Sequence, residues 1–192
     1  MRKLVLIRHS ESQPTEASPP AQWALSAAGR RRCRPLAERL AAYDPVVILS
    51  SGEQKAVETA QRVGTLLEKP YRAVGDLGEH DRSNEPFHDR NTFLKLVEAL
   101  LTHPEKNVFG NETGAEALAR FESAIGRIAE EQTKGNVVVV THGTVLSLFV
   151  AAHSDQKPFP FWQQLQQPAL VVFSLPEMRL LEVVFDAGEE LT

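Results

Sequence analysis

Residues 4–10 read Leu-Val-Leu-Ile-Arg-His-Ser, four apolar residues followed directly by an arginine, a histidine and a serine. A continuous apolar run with a polar exit is typical of a β-strand that is buried on both faces. In an open α/β sheet, ligands bind just beyond the carboxyl ends of the strands. The stretch therefore predicts a buried strand and, at Arg8 and His9, one part of a functional site.

Two further stretches repeat this pattern of an apolar run with a polar exit. Residues 46–49 lead into two serines, with Lys55 one turn into the helix that follows. Residues 137–140 are four valines and lead into Thr-His-Gly at 141–143. Helix N-termini next to such strand ends favour an anion. If the three strands are neighbours, cationic and nucleophilic side chains converge on one spot, namely Arg8, His9, Lys55 and His142.

The remaining pattern predicts helices that alternate with strands. Helices are expected at about 26–42, 51–67, 90–101, 115–132 and from 144, with a short strand at 71–74 and a hairpin of 170–174 and 180–185. Helix N-caps are expected at Ser26 and, as capping boxes, at the pairs Ser51 with Gln54 and Thr113 with Glu116. Pro35 predicts a kink or a later helix start, because proline lacks the N–H donor. This alternation predicts a single domain over residues 1–192, a three-layer α/β/α sandwich with a mostly parallel central sheet.

The composition is that of an ordinary globular protein and excludes several classes of partner. Of the 192 residues, 42% are hydrophobic and 24% are charged. The net charge of −4 lacks the positive excess that nucleic-acid-binding proteins carry. No stretch approaches the ~18 apolar residues of a membrane span, and the first apolar run is too short for a signal peptide. Cys33 is the single cysteine, which suits a reducing compartment. We therefore expect a cytoplasmic protein.

A set of ordered motifs resembles the histidine phosphatase superfamily, also called phosphoglycerate mutase-like. Residues 6–12 are similar to its Arg-His-Gly signature, and residues 140–143 are similar to its second histidine motif. Four shorter elements lie between them in the family's order: Leu-Thr-x-x-Gly at 25–30, Ser-Ser-x-x-x-Arg-Ala-x-x-Thr-Ala at 50–60, Leu-x-Glu at 77–79 and Gly-Glu-Ser at 110–113. The resemblance implies a phosphoglycerate mutase-like fold.

The resemblance also implies a metal-independent phosphatase without a cofactor, acting on a small phosphorylated substrate. His9 would accept the phosphoryl group, since neutral imidazole is a good nucleophile near pH 7. Glu79 would be the general acid, protonated near neutral pH with the help of a bound phosphate dianion. The guanidinium of Arg8 can grip two phosphate oxygens at once. The other residues implied at the phosphate are Lys55, His142 and Gly143, with His142 also counted among the catalytic residues.

Three positions depart from the family pattern. Ser10 replaces the signature glycine, which predicts a side chain where the backbone usually approaches the phosphate. Lys55 stands where the family has its second arginine, so the charge is kept but the two-pronged donor is lost. Thr15 stands where many members have asparagine.

Three other functions are compatible with the sequence. A phosphoglycerate mutase is one, although only about 30 residues separate Glu79 from Gly110, short for the insertion of true mutases. A non-catalytic phosphate-binding protein on the same fold is the second. The third is a metallohydrolase with ligands from one loop segment, although their spacing matches no known site. Those candidate ligands are His80, Asp81, His88 and Asp89.

Overall fold

A six-stranded sheet forms the centre of the molecule, in the strand order β3-β2-β4-β1-β5-β6. The computed structural model describes residues 1–190. The first four strands of the chain run parallel to one another, and the fifth runs antiparallel to both of its neighbours, the first and the sixth. This confirms the mostly parallel sheet and the C-terminal hairpin. The strands are β1 (Arg2–Arg8), β2 (Pro45–Ser50), β3 (Tyr71–Ala73), β4 (Asn136–Thr141), β5 (Ala169–Leu175) and β6 (Leu180–Val184).

Helices cover both faces of this sheet, which confirms the three-layer arrangement. Helices α1 and α2 pack on one face, and α4, α5 and α6 pack on the other, with α3 outside α5 and α6. None of the helices within residues 1–190 has both the length and the apolar character needed to cross a bilayer. The helices are α1 (Ala27–Ala41), α2 (Gln54–Leu67), α3 (Arg90–Thr102), α4 (Gly114–Glu131), α5 (Gly143–Ala152) and α6 (Pro158–Gln164).

The apolar run of β1 is continuous because both of its faces are covered. Leu4 and Leu6 pack into the cluster that contains α4 and α5, whereas Val5 and Ile7 pack into the cluster that contains α1 and α2. All four side chains are at most 1% exposed. Successive side chains in a strand point to opposite faces, so a strand in the middle layer needs apolar residues at every position.

The parallel pairing brings three strand ends to one edge. Arg8 of β1 lies opposite Thr141 of β4, and Ser50 of β2 lies opposite Val140. The ladder continues one residue further, because the N–H of His9 donates to the Thr141 carbonyl at 2.9 Å. Similarly, the N–H of Ser51 donates to the Val140 carbonyl at 3.0 Å. The three strands are therefore neighbours, which was the condition for their polar ends to meet.

One predicted capping box is wrong and one helix is missed, whereas the N-cap Ser26 and the other capping box are confirmed. Helix α1 starts directly after its cap Ser26 and continues through the buried Pro35, so the helix has no later start. Helix α2 begins at Gln54 without a capping box, because the Ser51 hydroxyl is bonded to a histidine described below. Helix α6 was not expected at all. The capping box of α4, formed by Thr113 and Glu116, is present.

The aromatic core between the sheet and helices α4 and α5 offers a test of stability. Phe149 is 1% exposed, and its ring meets those of Phe121 and Phe173 edge-on at 5.5 and 5.2 Å. We predict that Phe149→Ala lowers the free energy of unfolding by about 3–5 kcal/mol, through lost burial and a cavity. Urea denaturation measures this change. The control Leu181→Ala, on a side chain that is 44% exposed, should stay within about 0.5 kcal/mol; similar losses in both variants would contradict the prediction.

Candidate active site

His9 follows β1 and is held as a neutral imidazole with one defined tautomer. Its ring is 4% exposed, and Nδ1 lies 2.7 Å from the carbonyl oxygen of Ser10. A carbonyl only accepts, so Nδ1 carries the hydrogen and Nε2 keeps its lone pair. Burial, followed by the neighbouring His142 and Lys55, lowers the pKa of His9 well below its usual value. The ring nitrogen Nε2 is therefore available as a nucleophile at neutral pH.

The loop after His9 is fixed by two of the elements noted in the sequence. The hydroxyl of Ser10 donates to the Gly29 carbonyl at 2.7 Å, and the N–H of Ser10 donates to Thr59 Oγ1 at 3.1 Å. A Cβ at Gly29 would lie 2.0 Å from the carbonyl oxygen of Glu11, so this contact requires glycine. The prediction that the Ser10 side chain stands where the backbone approaches the phosphate is wrong, because that side chain bonds to helix α1.

His142 lies at the N-terminus of α5, next to His9, with ring centroids 5.2 Å apart. Its Nε2 is 2.7 Å from the Ser51 hydroxyl and 3.2 Å from Oε1 of Glu53. Burial is the main cause that lowers the pKa of His142 to about 3, so this ring is neutral as well. Its Nδ1 is buried and has no hydrogen-bond partner in the described part of the chain. A buried polar atom without a partner marks a place where a ligand can bind.

Arg8 is placed by β1 and by the unpredicted helix α6. Its Nη1 donates to the Leu165 carbonyl, and its guanidinium lies 5.7 Å from the centroid of the Trp162 ring. Burial lowers the pKa of Arg8 to about 10, with Glu79 acting against that shift, so the group stays charged at neutral pH. The Nε atom of Arg8 is buried and finds no partner among residues 1–190.

Gly143 provides the space that Arg8 occupies. A Cβ at Gly143 would lie 3.0 Å from Nε1 of Trp162 and 3.1 Å from Nε of Arg8. Any side chain here would therefore displace the Arg8 guanidinium or the Trp162 ring. Trp162 could not be found from the sequence, because the proline-containing segment 158–164 carries no clear helical pattern.

Lys55 lies on the first turn of α2 and is 4% exposed. Its ammonium group donates to the Pro20 carbonyl at 2.8 Å and to Oε2 of Glu53 at 2.5 Å. Glu53 therefore contacts both Lys55 and His142. In the element at 50–60 it falls on a position marked x, so the sequence motif does not identify it as a site residue. Only the structure shows that its carboxylate pairs with Lys55.

Glu79 accepts hydrogen bonds from the start of α5. Its carboxyl oxygens lie 3.0 Å from the Thr144 nitrogen and 3.2 Å from the Val145 nitrogen, and the N–H of His80 adds a third bond at 3.0 Å. Burial alone would raise the pKa of Glu79, but His142, Arg82 and the Thr144 N–H outweigh it and hold the pKa below its usual value. Glu79 is thus ionised in this arrangement, and the protonated form implied by the family resemblance depends on the help of a bound phosphate dianion.

The segment that carries Glu79 is held in place by hydrogen bonds from β4 and α4. Thr141 of β4 donates through its hydroxyl to the Leu77 carbonyl at 2.8 Å. Arg120 of α4 donates to the carbonyls of Gly78 and Glu79, at 3.2 and 3.1 Å, and pairs with Glu112 at 2.6 Å. The Leu-x-Glu and Gly-Glu-Ser elements are therefore linked through Arg120, a residue that the sequence did not single out.

A cavity of about 230 Å³ opens next to Glu53 and Glu79. Arg82 lines the same cavity, with its guanidinium 4.6 Å from the centroid of the Phe93 ring. The cavity is therefore lined by carboxylates and by a guanidinium, and it has room for one portion of a small molecule. Pro19, Pro20 and Ala21 form the opposite wall.

The side chains considered for a metal site are engaged elsewhere. His80 bonds through Nε2 to the Glu112 carbonyl at 2.6 Å, His88 contacts Glu85 at 3.0 Å, and Asp89 caps helix α3. Within residues 1–190, no three side chains of histidine, cysteine, aspartate or glutamate gather as metal ligands would. Thr15 is exposed, and its hydroxyl accepts from the Ala17 N–H at 3.1 Å.

Comparisons with known proteins agree with this fold. A phosphoserine phosphatase from Entamoeba histolytica, solved with phosphoserine, superimposes with a TM-score of 0.79 at 16% identity and 100% coverage of both chains. Bacillus stearothermophilus YhfR gives 0.76 at 20% identity, over 100% of this chain and 98% of the other. A mycobacterial glucosyl-3-phosphoglycerate phosphatase, solved with inorganic phosphate, gives 0.74 at 20% identity, over 99% and 100%. At these identities the likeness shows the fold.

A search of the curated proteins finds no match. The family model of the histidine phosphatase superfamily, branch 1, matches residues 4–179, a span that contains every site residue described above. The chain belongs to the histidine phosphatase superfamily.

Proposed function

We propose that the protein hydrolyses a small phosphate monoester in two steps, through a phosphoryl group carried on His9. The observation that supports this most directly is the fixed tautomer of His9, with Nδ1–H held by the Ser10 carbonyl. Covalent catalysis replaces one difficult displacement by two easier ones, provided that the nucleophile is unprotonated and positioned. Burial keeps His9 in that form.

Arg8, Lys55, His142 and Gly143 are the groups that we assign to the phosphoryl oxygens. Arg8 brings a buried, charged guanidinium whose Nε is unpaired within residues 1–190. His142 brings the unpartnered Nδ1, and Gly143 brings the first N–H of helix α5, whose terminus favours an anion. Donors fixed before the substrate binds stabilise charge that develops in the transition state.

Glu79 is our candidate for the general acid. Its three N–H donors favour the ionised form, so Glu79 must take up its proton when the substrate binds. A phosphate dianion placed beside this carboxyl group favours the protonated form. In the first step, the P–O bond of the ester breaks, the His9 Nε2–P bond forms, and the leaving oxygen takes the proton of Glu79. In the second step, water attacks phosphorus, the His9 Nε2–P bond breaks, and Glu79 takes the proton from the water. Inorganic phosphate leaves and His9 is neutral again.

The cavity next to Glu53 and Glu79 is the proposed place for the leaving group. Its volume of about 230 Å³ suits a small molecule, and Arg82 in its wall offers a cation. The similar structures were solved with phosphoserine and with inorganic phosphate. These observations support a small phosphorylated metabolite as the substrate. The single buried cysteine, Cys33, is compatible with the cytoplasmic location that we also propose.

We predict that His9→Ala lowers kcat/KM for p-nitrophenyl phosphate by on the order of 10³-fold or more, because the nucleophile is lost. Steady-state kinetics measure the change, and the exposed His103→Ala is the matched control, expected at wild-type activity. Thermal unfolding of both variants excludes loss of the fold. Appreciable turnover by His9→Ala would contradict the proposed function, and binding without turnover by the wild type would indicate a non-catalytic phosphate-binding protein.

Metal independence is proposed because Arg8 and Lys55 already supply positive charge to a phosphate. We expect that dialysis against a strong chelator leaves kcat unchanged, when activity is measured before and after with and without added Mg²⁺ or Zn²⁺. Loss of activity that a divalent ion restores would support the metallohydrolase instead.

The role of Glu79 is tested by the dependence on the leaving group. General acid catalysis contributes typically 10²–10⁴-fold, and only where the leaving oxygen needs a proton. Glu79→Gln should therefore lower kcat/KM for an alkyl phosphate by a factor in this range, but affect p-nitrophenyl phosphate far less. Glu85→Gln, in the same segment, is the control and should leave the ratio of the two efficiencies unchanged. An equal loss on both esters would assign Glu79 to positioning the start of α5.

A further inference from the structure

Glu53 lies between the groups that we assign to the phosphate. It is the N-cap residue of α2, in the short connection that follows β2. One carboxyl oxygen is 2.5 Å from the Lys55 ammonium. The other is 3.2 Å from Nε2 of His142 and accepts the Glu79 N–H at 2.8 Å. The side chain is only 16% exposed, and it lines the cavity beside the site.

The carboxylate changes the charge balance of the site. His9 and His142 are neutral, because burial lowers the pKa of each. The remaining charges nearest the two rings are positive at Arg8 and Lys55 and negative at Glu53 and Glu79. Opposite charges in contact attract strongly where water is scarce. A phosphate that approaches Lys55 must therefore displace the Glu53 carboxylate, or share the ammonium with it against the repulsion between the two negative charges.

We propose that Glu53 is a specificity-determining residue that competes with phosphate for Lys55. This inference rests on the proposed function. Inorganic phosphate has no leaving group that could make further contacts, so nothing offsets the competition from Glu53 and phosphate binds weakly. An ester has additional contacts through its leaving group in the adjacent cavity, and binding energy from such remote parts offsets the displacement of Glu53. The site then prefers the substrate over the product phosphate.

A purely structural role makes the opposite prediction. If Glu53 only held the Lys55 side chain in place, its removal would disorder that cation and weaken the binding of phosphate. If Glu53 competes, its removal frees a cation that is still enclosed by the Pro20 carbonyl and by the Trp23 ring, 5.9 Å from Nζ. The sign of the change in affinity therefore distinguishes the two roles.

The test is calorimetric titration of the full-length protein with inorganic phosphate. For Glu53→Gln we expect the Kd to fall by about tenfold or more, equivalent to ~1.4 kcal/mol. The control Asp81→Asn removes a carboxylate from the same cavity, where Asp81 accepts from the Ser83 N–H and the Asn111 amide. Its Kd should equal that of the wild type. Glu53→Leu carries the same expectation as Glu53→Gln and keeps the test open if one variant does not fold.

The possible results separate this inference from the function on which it rests. A Kd that is unchanged or higher in folded Glu53 variants, with phosphate still bound, overturns the inference alone. An equal fall in Asp81→Asn also overturns it, because the effect would then be general charge in the cavity. Failure of the wild type and of every variant to bind phosphate overturns both the inference and the proposed function.

Discussion

The parallel pairing of β1 with β4 is the constraint on which the site depends. It sets Arg8 opposite Thr141 and carries one more hydrogen bond from His9, so the two histidines follow adjacent strands at the same level. The pairing of β2 with β4 adds Ser51 on the other side of His142. Such pairing requires strands that are buried on both faces, and the apolar runs of the sequence meet that requirement.

Burial of this strand edge gives the site its chemistry. It keeps His9 and His142 neutral while leaving Arg8 charged, so neutral imidazoles and a cation coexist at neutral pH. A charged group that is buried must also be paired or hydrogen-bonded. Accordingly, Glu79 accepts three N–H hydrogen bonds and Lys55 pairs with Glu53. The supporting contacts from Gly29, Thr59 and Arg120 fix the loops that carry these groups.

The sequence predicts the strands and the meeting of Arg8, His9, Lys55 and His142, because apolar periodicity and polar strand ends are local signals. It does not predict Glu53 at the site, since only the turn geometry before α2 directs that carboxylate towards Lys55. The sequence does not predict Trp162 at the site either, because the segment of α6 carries no clear helical pattern. The orientation of Ser10 and the ionised state of Glu79 depend on hydrogen bonds to distant segments, which no local pattern encodes.

Direct observation of the phosphoryl group on the enzyme tests the central claim. Wild-type protein is mixed briefly with a monoester, quenched in alkali, digested and examined by mass spectrometry for a phosphorylated peptide. We expect phosphate on the peptide that contains His9, stable in alkali and lost in acid, and its absence in His9→Ala. Turnover without any such adduct under single-turnover conditions, or an adduct at another residue, would contradict the assignment of His9 as the nucleophile.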